Sequence, residues 1–494
     1  MISVRNRRQL SNGSNFLLLA LLLFFGSACG ALKKAPTPEK KSDELESITG
    51  GKVYDPQTGT FVEAGNKVPT ESLDTIKWTV LPKSNYPPIM SSAGVVAGTT
   101  NPVRRLGVNE YGSELLSTYK ATLLLPFMTQ SFVPDATEFG ETTNSAIQYY
   151  CGTKLALEEL SSQGVSIDLH VLDTKGTTRE LNNLIQNHKG LSESHLIIGP
   201  YQSDLLPSLI DFSRKSSKVL VSPNVIPEKP FANNPSYIQV KPGFQRHCEA
   251  LAEDALRKYQ PTQIVLVARN RPSELEGLKV IQDTYRRIQG SSTVPPLKEY
   301  VVSLGDDAAS VFESIDILPF ISLSDTTVFI LPSWSNESFV FAFLRKLDLS
   351  RQNGEAVLVY GLPQWMRYER IDFDYYAKLN VHVSQNSFQD PENNAVKVFT
   401  RTFFERFGMI PSQDAFLGYD VMKYFGTMLH KYGTRFQYSL ESEPYSGLNM
   451  AFDLERVADT SSGKTENLPL NRFENKHIFI LRFQDYSFIP AARY

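Results

Sequence analysis

Residues 121–126 read Ala-Thr-Leu-Leu-Leu-Pro, and this short apolar run begins the part of the chain that is expected to fold. Such a run is typical of a β-strand that is buried on both faces of a sheet. A helical pattern follows at about 143–162, and strand patterns then alternate with helix patterns as far as Val221. Because consecutive strands joined through helices run parallel, this alternation predicts a parallel sheet with right-handed crossovers.

A second series of the same kind begins after Pro242. Helix and strand patterns alternate from about 247 to 360, and two long helical patterns follow at about 392–407 and 414–432. The folding part comprises roughly 375 residues, which is more than one hydrophobic core usually supports. The sequence therefore predicts an α/β protein with two lobes, each built on a doubly wound parallel sheet.

The first residues have the layout of an export signal. Arg5, Arg7 and Arg8 precede an apolar stretch at 16–25, and small residues lead from it to Cys29. As a helix, this stretch would reach only about 15 Å, half the thickness of a bilayer core, so it is too short to remain as an anchor. The layout predicts a cleaved secretory signal over residues 1–28.

The residues before Cys29 also resemble the lipobox of bacterial lipoproteins, in which a diacylglyceryl group is attached to the cysteine. Gly26 stands where that motif commonly has leucine. The resemblance implies a lipid anchor on Cys29, and the alternative is an ordinary cleaved signal followed by an accidental cysteine. Later apolar runs fall short of the roughly 20 residues of a spanning helix, so lipid is the anchor that the sequence predicts.

Residues 29–118 are rich in Pro, Lys, Ser, Thr and Gly, as in the stretch 33–41. This composition buries too little apolar surface to offset the conformational entropy of folding, so it predicts a flexible tether. Two short β-prone runs surround a Pro/Gly turn within 52–62, where the sequence allows a transient hairpin.

Charge and motifs narrow the classes of function. The chain has 50 basic and 53 acidic residues, and without a basic stripe it lacks the electrostatic footprint of nucleic-acid binding. Nucleophile elbows, His-Glu-x-x-His pairs, Cys-x-x-Cys pairs and phosphate loops are absent from the sequence, so we expect no enzyme, no cofactor and no metal site. Cys151 and Cys248 either pair as a disulfide or stay as two buried thiols.

Four segments resemble the type I periplasmic binding proteins, whose best-known member is the branched-chain amino-acid receptor of ABC importers. In chain order they are 196–203 (LIIGPYQS), 219–224 with 237–242 (VLVSPN and YIQVKP), 359–363 (VYGLP) and 411–420 (PSQDAFLGYD). The resemblance covers about residues 120–490. It implies two lobes that close on a ligand about three hinge crossings, which we expect near Val240, Gln389 and Gly433.

These crossings divide the chain into lobes. The first lobe would hold residues 119–240 with 390–433, and the second would hold residues 241–389 with 434–494.

The resemblance further implies ligand-binding residues in the cleft. Tyr201 and Ser203 are expected to contact the ligand. Ser203 would offer its hydroxyl and nearby amides to a ligand carboxylate, although a serine here also fits a plain helix N-cap. Asn224 and Val225 stand where amino-acid receptors have small residues and a threonine, and neutral Gln364 stands near the position of their acidic residue. These departures argue against a free amino acid as the ligand.

Two tryptophans, Trp334 and Trp365, follow strand ends that face the expected cleft. They would either stack on a sugar or a peptide, or seal the lobes together.

Two classes of function fit these observations. The first is a lipid-anchored receptor on the periplasmic side of a bacterial membrane that captures a small polar molecule, as an ABC importer requires. The second is a non-catalytic envelope interaction protein, because a similar fold occurs in the outer-membrane lipoprotein that activates a peptidoglycan-synthesising penicillin-binding protein. A flexible tether of this length spans about 50 Å. Together with Gly30 after Cys29, which resembles lipoprotein sorting rules, the tether favours the outer membrane over the inner one.

Overall fold

The computed structural model describes residues 52–55, 60–63, 112–131, 133, 139–223, 234–302, 312–351, 355–458 and 470–491. The chain divides into two compact units, Met1–Ala97 and Gly98–Tyr494. In the first unit the described residues form a hairpin in which β1 (Lys52–Asp55) pairs antiparallel with β2 (Thr60–Glu63). The predicted signal at 1–28, Cys29 and most of the predicted tether lie outside the described residues.

The first lobe is built on a sheet of seven strands. They are β3 (Tyr119–Leu125), β4 (Ile167–Asp173), β5 (Leu196–Ile198), β6 (Val219–Ser222), β7 (Tyr237–Gln239), β15 (Leu454–Ala458) and β16 (Leu470–Asn475). Their order across the sheet is β15-β16-β7-β6-β5-β3-β4. β15 runs antiparallel to β16, and the other neighbours are parallel. β3 is buried at all positions but Lys120, as its apolar run predicts.

Six helices surround this sheet. They are α1 (Glu141–Ser162), α2 (Thr178–Asn187), α3 (Lys189–Glu193), α4 (Leu206–Ser216), α9 (Asn394–Phe407) and α10 (Gln413–Tyr432). α1 and α10 touch backbone to backbone, because a Cβ atom at Gly418 would lie 2.1 Å from the carbonyl oxygen of Tyr149. A short antiparallel pair, β13 (Tyr445–Ser446) and β14 (Ala451–Phe452), precedes β15.

The second lobe contains a second sheet of seven strands. They are β8 (Ile264–Arg269), β9 (Lys298–Val302), β10 (Thr327–Ile330), β11 (Val357–Gly361), β12 (Val381–Gln385), β17 (Phe479–Gln484) and β18 (Ser487–Pro490). Their order is β18-β17-β12-β11-β10-β8-β9, with β17 and β18 antiparallel to their neighbours. The flanking helices are α5 (Phe244–Lys258), α6 (Pro272–Gln289), α7 (Glu337–Ser350) and α8 (Phe373–Lys378).

The fold class predicted from the sequence is confirmed, since each lobe is an α/β layer structure with its own hydrophobic core. The sheets are mixed rather than purely parallel, because antiparallel strands close one edge of each. Cys151 and Cys248 are buried free thiols in different lobes. Among the described residues, no helix is both long and apolar enough to cross a membrane.

The chain passes between the two sheets after β7, after β12 and after β16. The sequence predicts the third crossing near Gly433, but β16 pairs with β7 in the first sheet, with Phe473 opposite Ile238. The third crossing therefore lies after Asn475, and β15 and β16 belong to the first lobe instead of the second. β16 contains polar residues, of which Asn471 and Glu474 are buried. Because it has no apolar run, the hydrophobic pattern of the sequence did not predict this strand.

All three crossings join the carboxyl edges of the parallel strands. β7, β12 and β16 each end at a crossing, and β16 runs parallel to β7. On the far side, α5 begins directly after the first crossing, and β17, antiparallel to β12, begins directly after the third. The loops that follow the parallel strands therefore line the groove at the hinge, the place where open α/β sheets bind ligands.

Candidate ligand-binding groove

We call the loops that follow the parallel strands of the first sheet the first-lobe wall, and those of the second sheet the second-lobe wall. In the first-lobe wall, Asp173 joins the loop after β3 to the loop after β4 by hydrogen bonds. Its carboxylate accepts hydrogen bonds from the backbone N–H groups of Met128 at 3.3 Å, Thr129 at 3.0 Å and Lys175 at 2.8 Å. Partial burial raises the pKa of Asp173, but the hydrogen bonds outweigh it, and the pKa lies below its usual value. Asp173 is thus a charged group whose partners are provided by its own loops.

The loop after β5 is fastened in a similar way through Tyr201. Its hydroxyl donates to the carboxylate of Asp414 in the first turn of α10. Burial, this hydrogen bond and the charge of Asp414 together raise the pKa of Tyr201. Tyr149 meets Tyr201 edge-on, with ring centroids 6.3 Å apart. The hydroxyl of Tyr201 therefore holds the wall together and is already occupied.

Ser203 is exposed at the start of a 3-10 turn, Ser203–Leu205. The cap position of this turn is Gln202, that of α4 is Leu205, and neither position makes a side-chain capping bond. The plain N-cap that the sequence allowed for Ser203 is therefore not formed, and the hydroxyl stands at the carboxyl end of β5. The other two predicted first-lobe residues, Asn224 and Val225, lie outside the described residues.

Lys241 lies on the first crossing and interacts electrostatically with both lobes. Burial lowers its pKa to about 8; Asp414 of the first lobe opposes this shift, and Arg367 of the second lobe reinforces it. The first crossing thus holds a largely buried lysine that is attracted by Asp414 and repelled by Arg367.

The second-lobe wall contains a buried ion pair that the sequence did not reveal. Arg269 ends β8, and its guanidinium binds the carboxylate of Glu274 in the first turn of α6, with Nε 2.9 Å from Oε1. The same carboxylate accepts the backbone N–H of Arg269 at 2.7 Å and the hydroxyl of Ser333, after β10, at 2.9 Å. The two side chains are 15% and 3% exposed. Glu274 is thus enclosed by groups of its own lobe.

The two tryptophans have different surroundings. Trp365 is fully buried, its ring packs on Gly361, and its indole N–H donates to the carbonyl oxygen of Ser333 at 3.3 Å. A Cβ atom at Gly361 would lie 2.4 Å from this ring, so only glycine leaves room for it. Trp334 is partly exposed and meets Phe244 edge-on at 5.7 Å. Trp365 therefore belongs to the core of the second lobe, and Trp334 keeps a surface at the groove.

Several polar atoms in the groove loops are buried and have no hydrogen-bond partner among the described residues. They are Oε1 of Gln202 in the first lobe, Oε1 of Gln364 and the hydroxyl of Tyr368 in the second, and Nε2 of Gln389 on the second crossing. Burial raises the pKa of Tyr368 to about 12. An unpartnered buried polar atom costs roughly 1–3 kcal/mol, so these atoms need partners from outside the chain.

A buried carboxylate of the first lobe, Asp420, is linked by hydrogen bonds to the second crossing. Asp420 of α10 accepts the backbone N–H groups of Leu448 at 2.8 Å, Asn449 at 2.8 Å and Met450 at 2.9 Å. The carbonyl oxygen of Asn449 in turn accepts the N–H of Phe388, on the crossing, at 2.8 Å. Burial raises the pKa of Asp420 to about 6, against the three hydrogen bonds.

The described residues contain no group of three or more His, Cys, Asp and Glu side chains that could hold a metal ion. At the groove the structure brings together amides, hydroxyls and paired charged groups, with one partly exposed tryptophan.

No protein-family model and no curated protein sequence matches this chain. Among solved structures, a candidate branched-chain amino acid ABC transporter from Rhodospirillum rubrum is 13% identical, with a TM-score of 0.52 over 76% of this chain and 100% of its own. An ABC transporter substrate-binding protein from Desulfitobacterium hafniense in complex with Leu is 14% identical, with a TM-score of 0.45 over 76% of this chain and 99% of its own.

Full-length LpoA from Haemophilus influenzae is 12% identical, with a TM-score of 0.47, and the match covers 78% of this chain and 60% of LpoA. The C-domain of LpoA, described as a regulator of PBP1A, is 12% identical with a TM-score of 0.47 over 75% of this chain and 99% of the domain. At these identities the likeness concerns the fold alone, a two-lobe α/β arrangement that this chain has in common with the transporter protein from Rhodospirillum rubrum.

Proposed function

We propose that this chain is a non-enzymatic, lipid-anchored binding protein that captures a small polar molecule between its two lobes. The observation that carries the proposal is the set of unpartnered polar atoms on both walls of the groove, Gln202 on the first and Gln364 and Tyr368 on the second. Waters or a polar molecule would supply the missing hydrogen bonds. A molecule that bonds to both walls favours the closed arrangement, because only there does it contact both lobes.

The same proposal places the protein on the periplasmic side of a bacterial membrane. The lipid on Cys29 would hold it there, more favourably at the outer membrane than at the inner one, and a transporter of the ABC class would receive the captured molecule. The fold supports this role, since open α/β sheets bind ligands at the edge where all three crossings lie.

Thermal unfolding with a library of polar metabolites tests the proposal. A compound at a hundred times its Kd stabilises by about 2.7 kcal/mol, which shifts Tm by a few degrees for lobes of this size. Gln202→Met and Gln364→Met should each abolish the shift, while Gln186→Met, an exposed position on α2, should preserve it. A shift that survives both groove substitutions, or a library without any stabilising compound, would contradict the proposal.

A second candidate function is a non-catalytic interaction with an envelope protein, such as a cell-wall synthesis enzyme. It is favoured by the outer surface of the first lobe, where Val398 and Phe404 of α9 are 52% and 55% exposed. A cavity of about 300 Å³ lies beside them, lined in part by Leu155 and Phe399. A photo-crosslinking residue at position 398 should then capture an envelope protein in cells, whereas the same residue at position 186 should not.

A further inference from the structure

Three carboxylates at the groove, those of Asp173, Glu274 and Asp414, have partners in the chain, whereas several amide atoms and a phenol do not. We propose that the groove selects an uncharged ligand and that Arg269, by occupying Glu274, is the residue that sets this selectivity. The inference rests on the proposed function, because it names the chemical class of molecule that the groove accepts.

Glu274 is a buried acidic group of the second-lobe wall, and both of its carboxylate oxygens accept hydrogen bonds from within the chain. Oε1 accepts Nε and Nη2 of Arg269 and the hydroxyl of Ser333, and Oε2 accepts the backbone N–H of Arg269. Both carboxylate oxygens are thus engaged, Oε1 by three donors and Oε2 by one. With the Glu274 side chain 3% exposed, a ligand ammonium group finds no acidic partner there.

Two acidic groups of the first-lobe wall also accept hydrogen bonds from within the chain. Asp173 is bound by the loops after β3 and β4, and Asp414 is bound by the hydroxyl of Tyr201. Lys241 on the first crossing also interacts electrostatically with Asp414, and their opposite charges attract. An ammonium group of a ligand would therefore have to compete with these partners for the carboxylates, which is costly.

The groups that lack partners are neutral. Gln202 and Gln364 each present an amide oxygen, which accepts a hydrogen bond, and Tyr368 presents a hydroxyl, which donates or accepts one. Hydroxyl and amide functions of a ligand supply such partners. Three charged side chains at the groove loops, Asp204, Arg271 and Arg367, are exposed. They carry both signs and stay in water, where a single charge adds little to binding. A molecule with several hydroxyl or amide groups and no net ionised group fits this distribution.

The first test separates small molecules by charge. A metabolite extract of bacterial cells is passed over a cation exchanger at acidic pH, which retains amines and amino acids, and then over an anion exchanger. We expect the neutral flow-through to raise the Tm of the full chain in detergent by about 2–4 °C. Stabilisation by a retained fraction alone would refute the selectivity and leave ligand binding intact. Stabilisation by no fraction would overturn the proposed function itself, and the selectivity with it.

The second test changes the selectivity directly. Arg269→Gln should free the Glu274 carboxylate, so the cation leucinamide should bind at least tenfold more tightly than to the unsubstituted protein, while neutral N-acetylleucinamide should gain no such advantage. Arg456→Gln is the matched control. Arg456 lies on β15, at the outer edge of the first sheet, is 17% exposed and forms an ion pair with Glu441. Should Arg269→Gln fail to fold, Ser333→Ala removes one bond to Glu274 and should produce a smaller change in the same direction. If the folded variants bind leucinamide and N-acetylleucinamide with the same affinity ratio as the unsubstituted protein, the role of Arg269 is refuted.

Discussion

The carboxylate of Asp420 allows a quantitative test of how the first lobe holds the second crossing. Its pKa is raised from 3.8 to about 6, chiefly by burial, so the folded state binds its proton more tightly than the unfolded state does. The stability that this proton provides is complete below the unfolded pKa and is lost as the pH rises through about 6. A shift of about two units corresponds to about 3 kcal/mol at neutral pH.

Asp420→Asn removes this titration and retains the shape of the side chain. The amide oxygen can keep the bonds to two backbone N–H groups, but its NH₂ group then faces the third donor. We expect the stability of the unsubstituted protein to fall, relative to the variant, by about 2 kcal/mol between pH 4 and pH 7, because the unfolded carboxyl group is already partly ionised at pH 4.

The assay is urea unfolding of both proteins at several pH values across this window, with Asp325→Asn as a control at an exposed position. The control should follow the unsubstituted protein throughout. The reasoning would be refuted if the difference in unfolding free energy between the Asp420→Asn variant and the unsubstituted protein changed by less than about 0.5 kcal/mol from pH 4 to pH 7. Surface substitutions produce changes of that size.

Three further predictions concern the anchor, the tether and the helix packing of the first lobe. Cys29→Ser should move the protein from the detergent phase to the aqueous phase on phase partition, since acyl chains supply the membrane affinity, and unchanged partition would refute lipid attachment. Mild proteolysis should leave a resistant core that starts near residue 113, where the hydroxyl of Ser113 donates to the carbonyl oxygen of Tyr432, and a core that starts near residue 50 would mean that the tether is folded. Gly418→Ala should lower stability by about 3 kcal/mol in urea unfolding, because the new Cβ meets the backbone of α1, whereas Gly140→Ala, with open space around it, should have little effect.

The regular part of the fold is predictable because its signals are local. The apolar runs of β3, β5 and β6 are each followed by a helix pattern, and a parallel sheet is the arrangement that buries such runs on both faces. β16 is different, since its polar side chains are buried through contacts with strands far away in sequence. A pattern within the strand could not show this, and the predicted third crossing was wrong for that reason.

The site shows the same division. Position relative to a strand end is local information, so the placement of Ser203 and Trp334 in the groove loops could be predicted from the sequence. Hydrogen-bond partners are not local information. Ser333 donates to Glu274, 59 residues away in sequence, and Tyr201 donates to Asp414, 213 residues away. Whether a charged side chain is available to a ligand depends on such partners, so the sequence could name candidate positions without revealing which charges were already satisfied.

The late position of β15 and β16 also affects how the protein is made. The first sheet lacks two strands until residues beyond 454 have emerged, and the second lacks β17 and β18 until a little later. Until then β7 and β12, which are interior strands of the finished sheets, each have one unpaired edge that another chain can pair with. A nascent or truncated chain that ends near residue 440 would therefore leave both lobes unfinished at once, and the last tenth of the polypeptide decides whether either of them matures.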